Sequence, residues 1–327
     1  MNDVSRAAAL LRAGELVAFP TETVYGLGAD ARNPQAIARI FAAKGRPADH
    51  PLIVHLADAS HLDRWAVDIP EAAHRLAAAF WPGPLTLILK RHPDVLDAIT
   101  GGQDTVGLRV PNHPLALQLL REFGGASGGA SGGGLAAPSA NRFGHVSPTT
   151  AEHVREELGD AVALILDGGP CAVGIESTIL DLSAGEPRIL RPGMLDAAAI
   201  GRVLGLVPVF GGKPDAPRVS GSLEAHYAPR ASLQLVAAAE LAARARQALA
   251  GGGRVAVLSS QPLDFDHENL VWRAAGAAPE QFAHDLYARL RELDALACDV
   301  ILVATPPLDD AWRAVADRLR RAAAGSK

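Results

Sequence analysis

Lys44-Gly45-Arg46-Pro47-Ala48-Asp49-His50-Pro51-Leu52-Ile53-Val54-His55 is the stretch on which the reading of this chain turns. Lys44 and Arg46 come at the end of an amphipathic helical pattern whose apolar face is Ile37, Ile40 and Phe41. Glycine and proline then break the helix, and a short apolar run ends in His55. A helix stop followed by a strand puts side chains at the rim of a sheet, where α/β proteins place ligands. The rigid turn fixes Lys44, Arg46 and His55 on one mouth. The expectation is an anion site at this corner of an α/β fold.

Working outward, Asn33-Pro34 is a helix N-cap followed by proline at the first helical position. Residues 4–12 read as a helix, 16–19 as a buried strand closed by Pro20, and 21–28 as a polar, glycine-containing turn that lets backbone approach a ligand. A helix follows Pro70 and ends at Trp81-Pro82-Gly83-Pro84, and strands are expected at 85–89 and 106–110. A helix over 113–123 leads into a Gly/Ser/Ala tract, 124–134, that reads as a flexible loop. Ser127 and Ser131 sit there in nominal G-x-S-x-G matches, without the strand-turn-helix context a hydrolase elbow requires. Ser147-Pro148 and the Thr149/Glu152 pair give two overlapping helix-start signals. Such an N-terminus presents free N–H groups to a phosphate. Further strands are expected at 162–166, 177–182 and 188–190.

The Pro/Gly-rich residues 207–230 read as a linker ending in His226-Tyr227-Ala228-Pro229. Beyond it, strands and helices alternate, which predicts a small, mainly parallel, Rossmann-like α/β domain. It carries neither a G-x-G-x-x-G nor a Walker A motif, so its pattern makes no nucleotide claim. The domains are therefore 1–206, a linker or lid 207–230, and 231–327. A net charge of -5 argues against a general nucleic-acid coat or a membrane-surface protein. Cys171 and Cys298 are the only cysteines, which excludes a disulfide framework and a thiolate metal cluster. No apolar run approaches the roughly 18 residues of a membrane span, and no signal-peptide core is present, so the expected location is a reducing cytoplasm.

Phe19-Pro-Thr-Glu-Thr-Val-Tyr-Gly-Leu-Gly28, Lys44-Gly-Arg-Pro47 with Pro51-Leu-Ile-Val-His55, Trp81-Pro-Gly-Pro-Leu-Thr86 and Ala137-Pro-Ser-Ala-Asn141 together resemble the YrdC-like domain. Gly174-Ile-Glu-Ser-Thr-Ile179 and Leu190-Arg-Pro-Gly193 continue the likeness. With the linker and the α/β tail, the chain resembles the long two-domain form of the threonylcarbamoyl-AMP synthase family. The resemblance implies a twisted open α/β sheet domain with a large positive cavity, followed by the smaller parallel domain. It also implies condensation of L-threonine, bicarbonate and ATP into L-threonylcarbamoyl-adenylate, with Mg²⁺ accompanying ATP and pyrophosphate released. The product then passes to the tRNA threonylcarbamoyl-transfer machinery, and a positive cavity leaves room for weak RNA binding.

Each site residue has a plainer role to set beside the implied one. Lys44 and Arg46 are helix-end cations favoured by the dipole; the resemblance puts them on the triphosphate, as catalytic residues. His50 stands where the family more often has asparagine, on the nucleotide side. Thr21 and Thr23 suit a turn that bonds its own backbone, and Thr21 maps to threonine. Thr105 and Arg109 share one face of a strand; they map to ATP and to the amino-acid carboxylate. His55, Ala137 and Ser177 map to threonine, and Ser139, Ser147, Arg191 and the linker residue Tyr227 to ATP. Glu22 and Glu176 are candidate carboxylates on the Mg²⁺ side. Two rivals stand beside this reading. One is a non-catalytic RNA-binding or ribosome-assembly protein. The other is a carbamoyl-phosphate-using transferase, whose zinc-finger-like and acylphosphatase modules are missing here.

Overall fold

Asn33 and Gly45 bound the helix Pro34–Lys44 as their residue types require. The Asn33 side chain accepts from the N–H groups of Gln35 and Ala36, at 3.0 and 3.1 Å. Gly45, at φ 61°, donates to Ala42 O, and Arg46 N–H donates to Phe41 O. Those two bonds form a Schellman ending, which glycine reaches without steric cost. The ending turns the chain sharply and leaves Lys44 and Arg46 at the helix terminus.

The computed structural model describes residues 2–125, 133–213 and 216–326. The loop expected over 124–134 falls mostly outside them, with both nominal hydrolase serines. The described residues form two units. Unit 1 holds residues up to Phe143 with Pro148–Ala172 and Glu176–Ser222; unit 2 holds Gly144–Ser147, Val173–Ile175 and Leu223 onward. The stretch 207–222 thus groups with unit 1 and 223–230 with unit 2.

Unit 1 is built on a mixed sheet. Its described strands are β1 (Val17–Phe19), β2 (Gly26–Asp30), β3 (Ile53–His55), β4 (Leu85–Lys90), β5 (Thr105–Arg109), β6 (Leu135–Ala136), β7 (Leu164–Ile165), β8 (Thr178–Asp181), β9 (Arg188–Arg191) and β10 (Val209–Phe210). They pair in the order β10-β9-β8-β4-β5-β3-β6-β2-β1-β7. Alternate residues of β1 point into different cores: Ala18 joins Tyr25, Ile37 and Ile40, whereas Val17 and Phe19 join Leu11 and Leu119. Both faces of the sheet are covered, so its strands read as continuous apolar runs rather than alternating ones.

Two registers place the site. Parallel pairing of β3 with β5 sets His55 beside Arg109. Antiparallel pairing of β8 with β9 sets Ile179 beside Arg191. The expected helix start at Ser147–Glu152 differs in detail. The helix is Ala151–Leu158, and its N-cap is Thr150, whose side chain accepts from His153 N–H. No Thr149/Glu152 capping box forms, because His153 Nδ1 accepts the N–H of Thr149 at 3.3 Å. Ser147 is fully buried, ahead of the N-cap.

Unit 2 has the expected parallel sheet. Strands β11 (Ser232–Val236), β12 (Val255–Ser259), β13 (Leu270–Ala274) and β14 (Val300–Ala304) pair in the order β11-β14-β12-β13. Gly174 sits at φ 85°, and a Cβ there would lie 2.4 Å from His284 O, so only glycine lets residues 173–175 lie on the helix Pro279–Ala295. Among the described residues no helix is long and apolar enough to cross a membrane.

Candidate functional site

Arg109 is held from the proline-rich turn at 81–84 and from the Thr23 turn. Trp81 Nε1 donates to Leu85 O and Gly83 N–H donates to Val110 O, which ties the proline-rich turn to the sheet. A Cβ on Gly83 would stand 2.2 Å from Phe80 O, so the turn requires glycine. Gly83 O then accepts from Arg109 Nε at 3.2 Å, and Thr23 Oγ1 accepts from Nη1 at 2.9 Å. Glu22 Oε1 lies 2.6 Å from Nη2. That contact is out of hydrogen-bond alignment, so charge proximity holds it, and neither Glu22 oxygen has a hydrogen-bond partner among the described residues.

The residues around Arg109 are electrically quiet. Burial, and secondly the Arg109 charge, push the pKa of His55 down to about 3, so its imidazole is neutral. Burial pushes the Cys171 thiol up to about 12, which removes it as a nucleophile at neutral pH. Thr21 Oγ1 donates to Val24 O at 2.6 Å and accepts the N–H groups of Thr23 and Val24. It has the turn-stabilising role open to it from the outset, and its bond to Thr23 Oγ1 links that turn to Arg109. Ala137 N–H donates to Ile53 O beside the same strand.

The second group centres on Lys44, which is 3% exposed. Its Nζ donates to Ser139 O and Asn141 O, both at 2.5 Å. Burial, then the neighbouring Arg46, holds its pKa well below the ordinary lysine value, against an opposing pull from Glu157. Arg46 Nη2 donates to Pro51 O at 2.8 Å and lies 3.5 Å from Ser220 Oγ. Arg191 Nη1 donates to Ser220 O at 2.8 Å, so Ser220 joins two cations. Arg191 Nη2 also donates to Ser177 Oγ at 3.1 Å, and Ser177 Oγ bonds Thr86 Oγ1 at 2.8 Å. The Arg109 group and this cation group meet at the proline-rich turn, where Gly83 O accepts from Arg109 and Pro84 O accepts the N–H of Thr178, next to Ser177.

Close packing sets the Arg191 turn. A Cβ on Gly193 would lie 2.4 Å from Thr178 N and 2.7 Å from its Oγ1. Gly193→Ala is expected to lower the stability of unit 1 by about 1–3 kcal/mol, read as a shift of the urea midpoint, because the backbone it meets cannot give way.

Other expected residues stand apart from this network. His50 is partly buried, edge-on to Phe143 at 5.2 Å, with its pKa lowered by burial and then by Arg46. Thr105 is at the opposite end of β5 from Arg109 and lines a cavity of about 820 Å³ with Lys90, Arg91, Asp181, Arg188 and Lys213. Ser147 and Tyr227 belong to unit 2. There Tyr227 is buried at φ 61°, stacked on Tyr287 and covered by the Arg318 guanidinium 5.3 Å from its ring centre. Sequence reasoning quoted Thr86 and Asn141 within motifs but gave them no role, and it missed Ser220. Thr86 also had a signal of its own, as the one hydroxyl in the strand β4.

No three His, Cys, Asp or Glu side chains among the described residues converge as metal ligands. Glu22, a candidate for the Mg²⁺ side, faces Arg109 instead. Among the described residues there is no protein-built Mg²⁺ cage.

Family comparison agrees with this geometry. The Sua5–YciO–YrdC profile, described as "Telomere recombination", matches residues 9–193, and "Threonylcarbamoyl-AMP synthase, C-terminal domain" matches 194–324. A threonylcarbamoyl-AMP synthase of Bacillus subtilis is 42% identical, covering 98% of this chain and 93% of its own length. The Pyrococcus abyssi threonylcarbamoyl-AMP synthase is 41% identical over 97% of this chain and 92% of its own. The crystal structure of P. abyssi Sua5 complexed with L-threonine superimposes with a TM-score of 0.86 at 39% identity, covering 98% of this chain and 94% of that one. The chain belongs to the threonylcarbamoyl-AMP synthase family.

Proposed function

We propose that unit 1 condenses L-threonine, bicarbonate and ATP into L-threonylcarbamoyl-adenylate, releasing pyrophosphate, and that the product serves threonylcarbamoyladenosine modification of tRNA in the cytoplasm. The observation that carries this reading is the proline-rich turn. There Gly83 O takes Arg109, an arginine suited to a carboxylate, and Pro84 O takes Thr178 N–H, next to the Ser177 that bonds Arg191, one of the cations suited to a triphosphate. Condensing an amino acid with a nucleotide needs those two pockets to share a wall.

In this reading Arg109 binds the threonine carboxylate, with Thr21, His55, Ala137 and Ser177 around the rest of the molecule. The amine takes up bicarbonate to give a carbamate, and a carbamate oxygen attacks the α-phosphorus. Lys44, Arg46 and Arg191 neutralise the phosphates as pyrophosphate leaves. Positioning and charge neutralisation suffice for such a displacement, and no covalent enzyme intermediate is needed. Ser139 borders the Lys44 pocket. Thr105, ~13 Å along the strand from Arg109, would meet the far end of the nucleotide in its cleft. His50, Ser147 and Tyr227 complete the proposed ATP contacts. Mg²⁺ would arrive on ATP, held by phosphate oxygens and water as that ion prefers. A carbamate is labile in water, which gives closure by the linker and Tyr227 a chemical purpose.

The test is pyrophosphate release by purified protein with Mg²⁺ and ATP, which must require both L-threonine and bicarbonate. Turnover with carbamoyl phosphate in place of threonine, or salt-sensitive RNA binding without turnover, would overturn the reading. Arg46→Ala is expected to lose activity while keeping the fold; an unchanged rate removes Arg46 from the site.

A further inference from the structure

Glu22 is a buried carboxylate with an unused hydrogen-bonding capacity. It is 6% exposed, its Oε1 stands against Arg109, and Oε2 makes no hydrogen bond among the described residues. Burying an ion pair costs more desolvation than its attraction returns unless further hydrogen bonds satisfy both partners. Arg109 has such bonds, from Gly83 O and Thr23 Oγ1. Glu22 has none. A fold that leaves one member of a buried pair unsatisfied either stores strain or holds a place for a ligand.

The geometry says what ligand fits. A guanidinium and a carboxylate 2.6 Å apart present a positive and a negative site side by side. An α-amino acid zwitterion carries the complementary pair, a carboxylate and an ammonium on neighbouring atoms. Resting on the reading that Arg109 takes the threonine carboxylate, we propose that Glu22 holds the threonine ammonium and accepts its proton as the amine becomes a nucleophile. The step balances. One ammonium proton passes to the Glu22 carboxylate. The freed lone pair forms the N–C bond to bicarbonate. The C–OH bond breaks, and the departing hydroxide leaves as water with a second nitrogen proton.

The other groups near Glu22 do not compete for this task. Cys171 stays a neutral thiol. His113 has a lowered pKa, from burial first, against opposing pulls from a Gly168 bond and from Glu22. His55 is neutral. Glu22 is the one carboxylate among these groups, and no backbone N–H among the described residues bonds it.

The experiment compares two ligands on three proteins by calorimetry: L-threonine and 3-hydroxybutyrate, which is threonine without its amino group. Glu22→Gln is expected to weaken threonine binding by roughly 10- to 100-fold and to leave 3-hydroxybutyrate binding unchanged or tighter. Equal weakening of both ligands would show that Glu22 only orients Arg109, and overturns the proposal. Glu22→Gln leaves Arg109 without its counter-charge and can fail to fold; Glu22→Asp then decides. Aspartate keeps the charge and sets it back by one methylene, so it should preserve the preference for threonine over 3-hydroxybutyrate while slowing pyrophosphate release. An aspartate variant with wild-type turnover overturns the proton-acceptor role. Wild-type protein that ignores threonine would instead refute the proposed function, a separate outcome.

Discussion

Arg109→Ala lowers kcat/KM for L-threonine by about a thousandfold, and it also lowers the melting temperature. The first effect follows from burial. A charge-assisted, two-pronged bond to a carboxylate in a site from which water is excluded is worth several kcal/mol, and a thousandfold is about 4 kcal/mol. The second effect follows from Glu22. With Arg109 gone, its carboxylate is buried without a counter-charge, at a cost of about 3–5 kcal/mol. Arg109→Lys restores the charge but cannot reach Gly83 O, Thr23 Oγ1 and Glu22 at once, so it recovers stability better than activity. The double variant Arg109→Met with Glu22→Gln removes both charges and should regain most of the lost melting temperature with none of the activity. Thermal unfolding beside threonine-dependent pyrophosphate release reads both arms. A single variant that keeps its threonine KM would remove Arg109 from the site.

The elements around this arginine were unevenly legible. The helix Pro34–Lys44 could be read from Asn33, Pro34 and Gly45 because capping is local chemistry. The strand β2 escaped reading: Gly-Leu-Gly-Ala-Asp has poor strand propensity and is held extended only by β1 and β6 on its two sides. The helix Ala197–Leu204 and strand β13 were likewise passed over, being short and framed by loops. The parallel order of unit 2 followed from strand–helix alternation, a repeated pattern rather than a single signal.

Within the site, local and distant information divide in the same way. Lys44, Arg46 and His55 stood out because one rigid turn carries them. The Glu22–Arg109 pairing had no signal: the two lie far apart in sequence and meet only through the sheet order from β5 through β3, β6 and β2 to β1, with the Thr23 turn bonding Arg109. Ser220 was hidden for a related reason. Its oxygens serve Arg46 and Arg191 from a glycine-rich segment with no periodicity of its own. Resemblance supplied the identities of Ser177 and Arg191, and the hydrogen bond between them supplies the reason they belong together.

Lys44→Met separates the use of this buried cation from its cost. The variant loses the one cation that the two carbonyls of Ser139 and Asn141 aim, and activity should fall by about 10²–10³, the effect of removing one preorganised donor to developing charge. Its stability should respond to pH with the opposite economy. In the folded protein, burial and Arg46 hold the Lys44 pKa below its value in the unfolded chain. Between those two values the unfolded state binds the extra proton, so raising the pH stabilises the wild type, by up to about 1.4 kcal/mol per pH unit from this group. The gain is complete above the unfolded pKa of about 10.4 and is lost as pH falls to the folded value. Methionine carries no proton, and Lys44→Met lacks that slope. Unfolding midpoints in urea at pH 7, 8 and 9 should therefore rise more for wild type than for the variant. Saturating ATP should flatten the wild-type slope, because phosphate charge draws the proton back onto Lys44. Parallel slopes for the two proteins, with and without ATP, would mean that Lys44 keeps its proton throughout and meets the triphosphate as an ordinary ammonium.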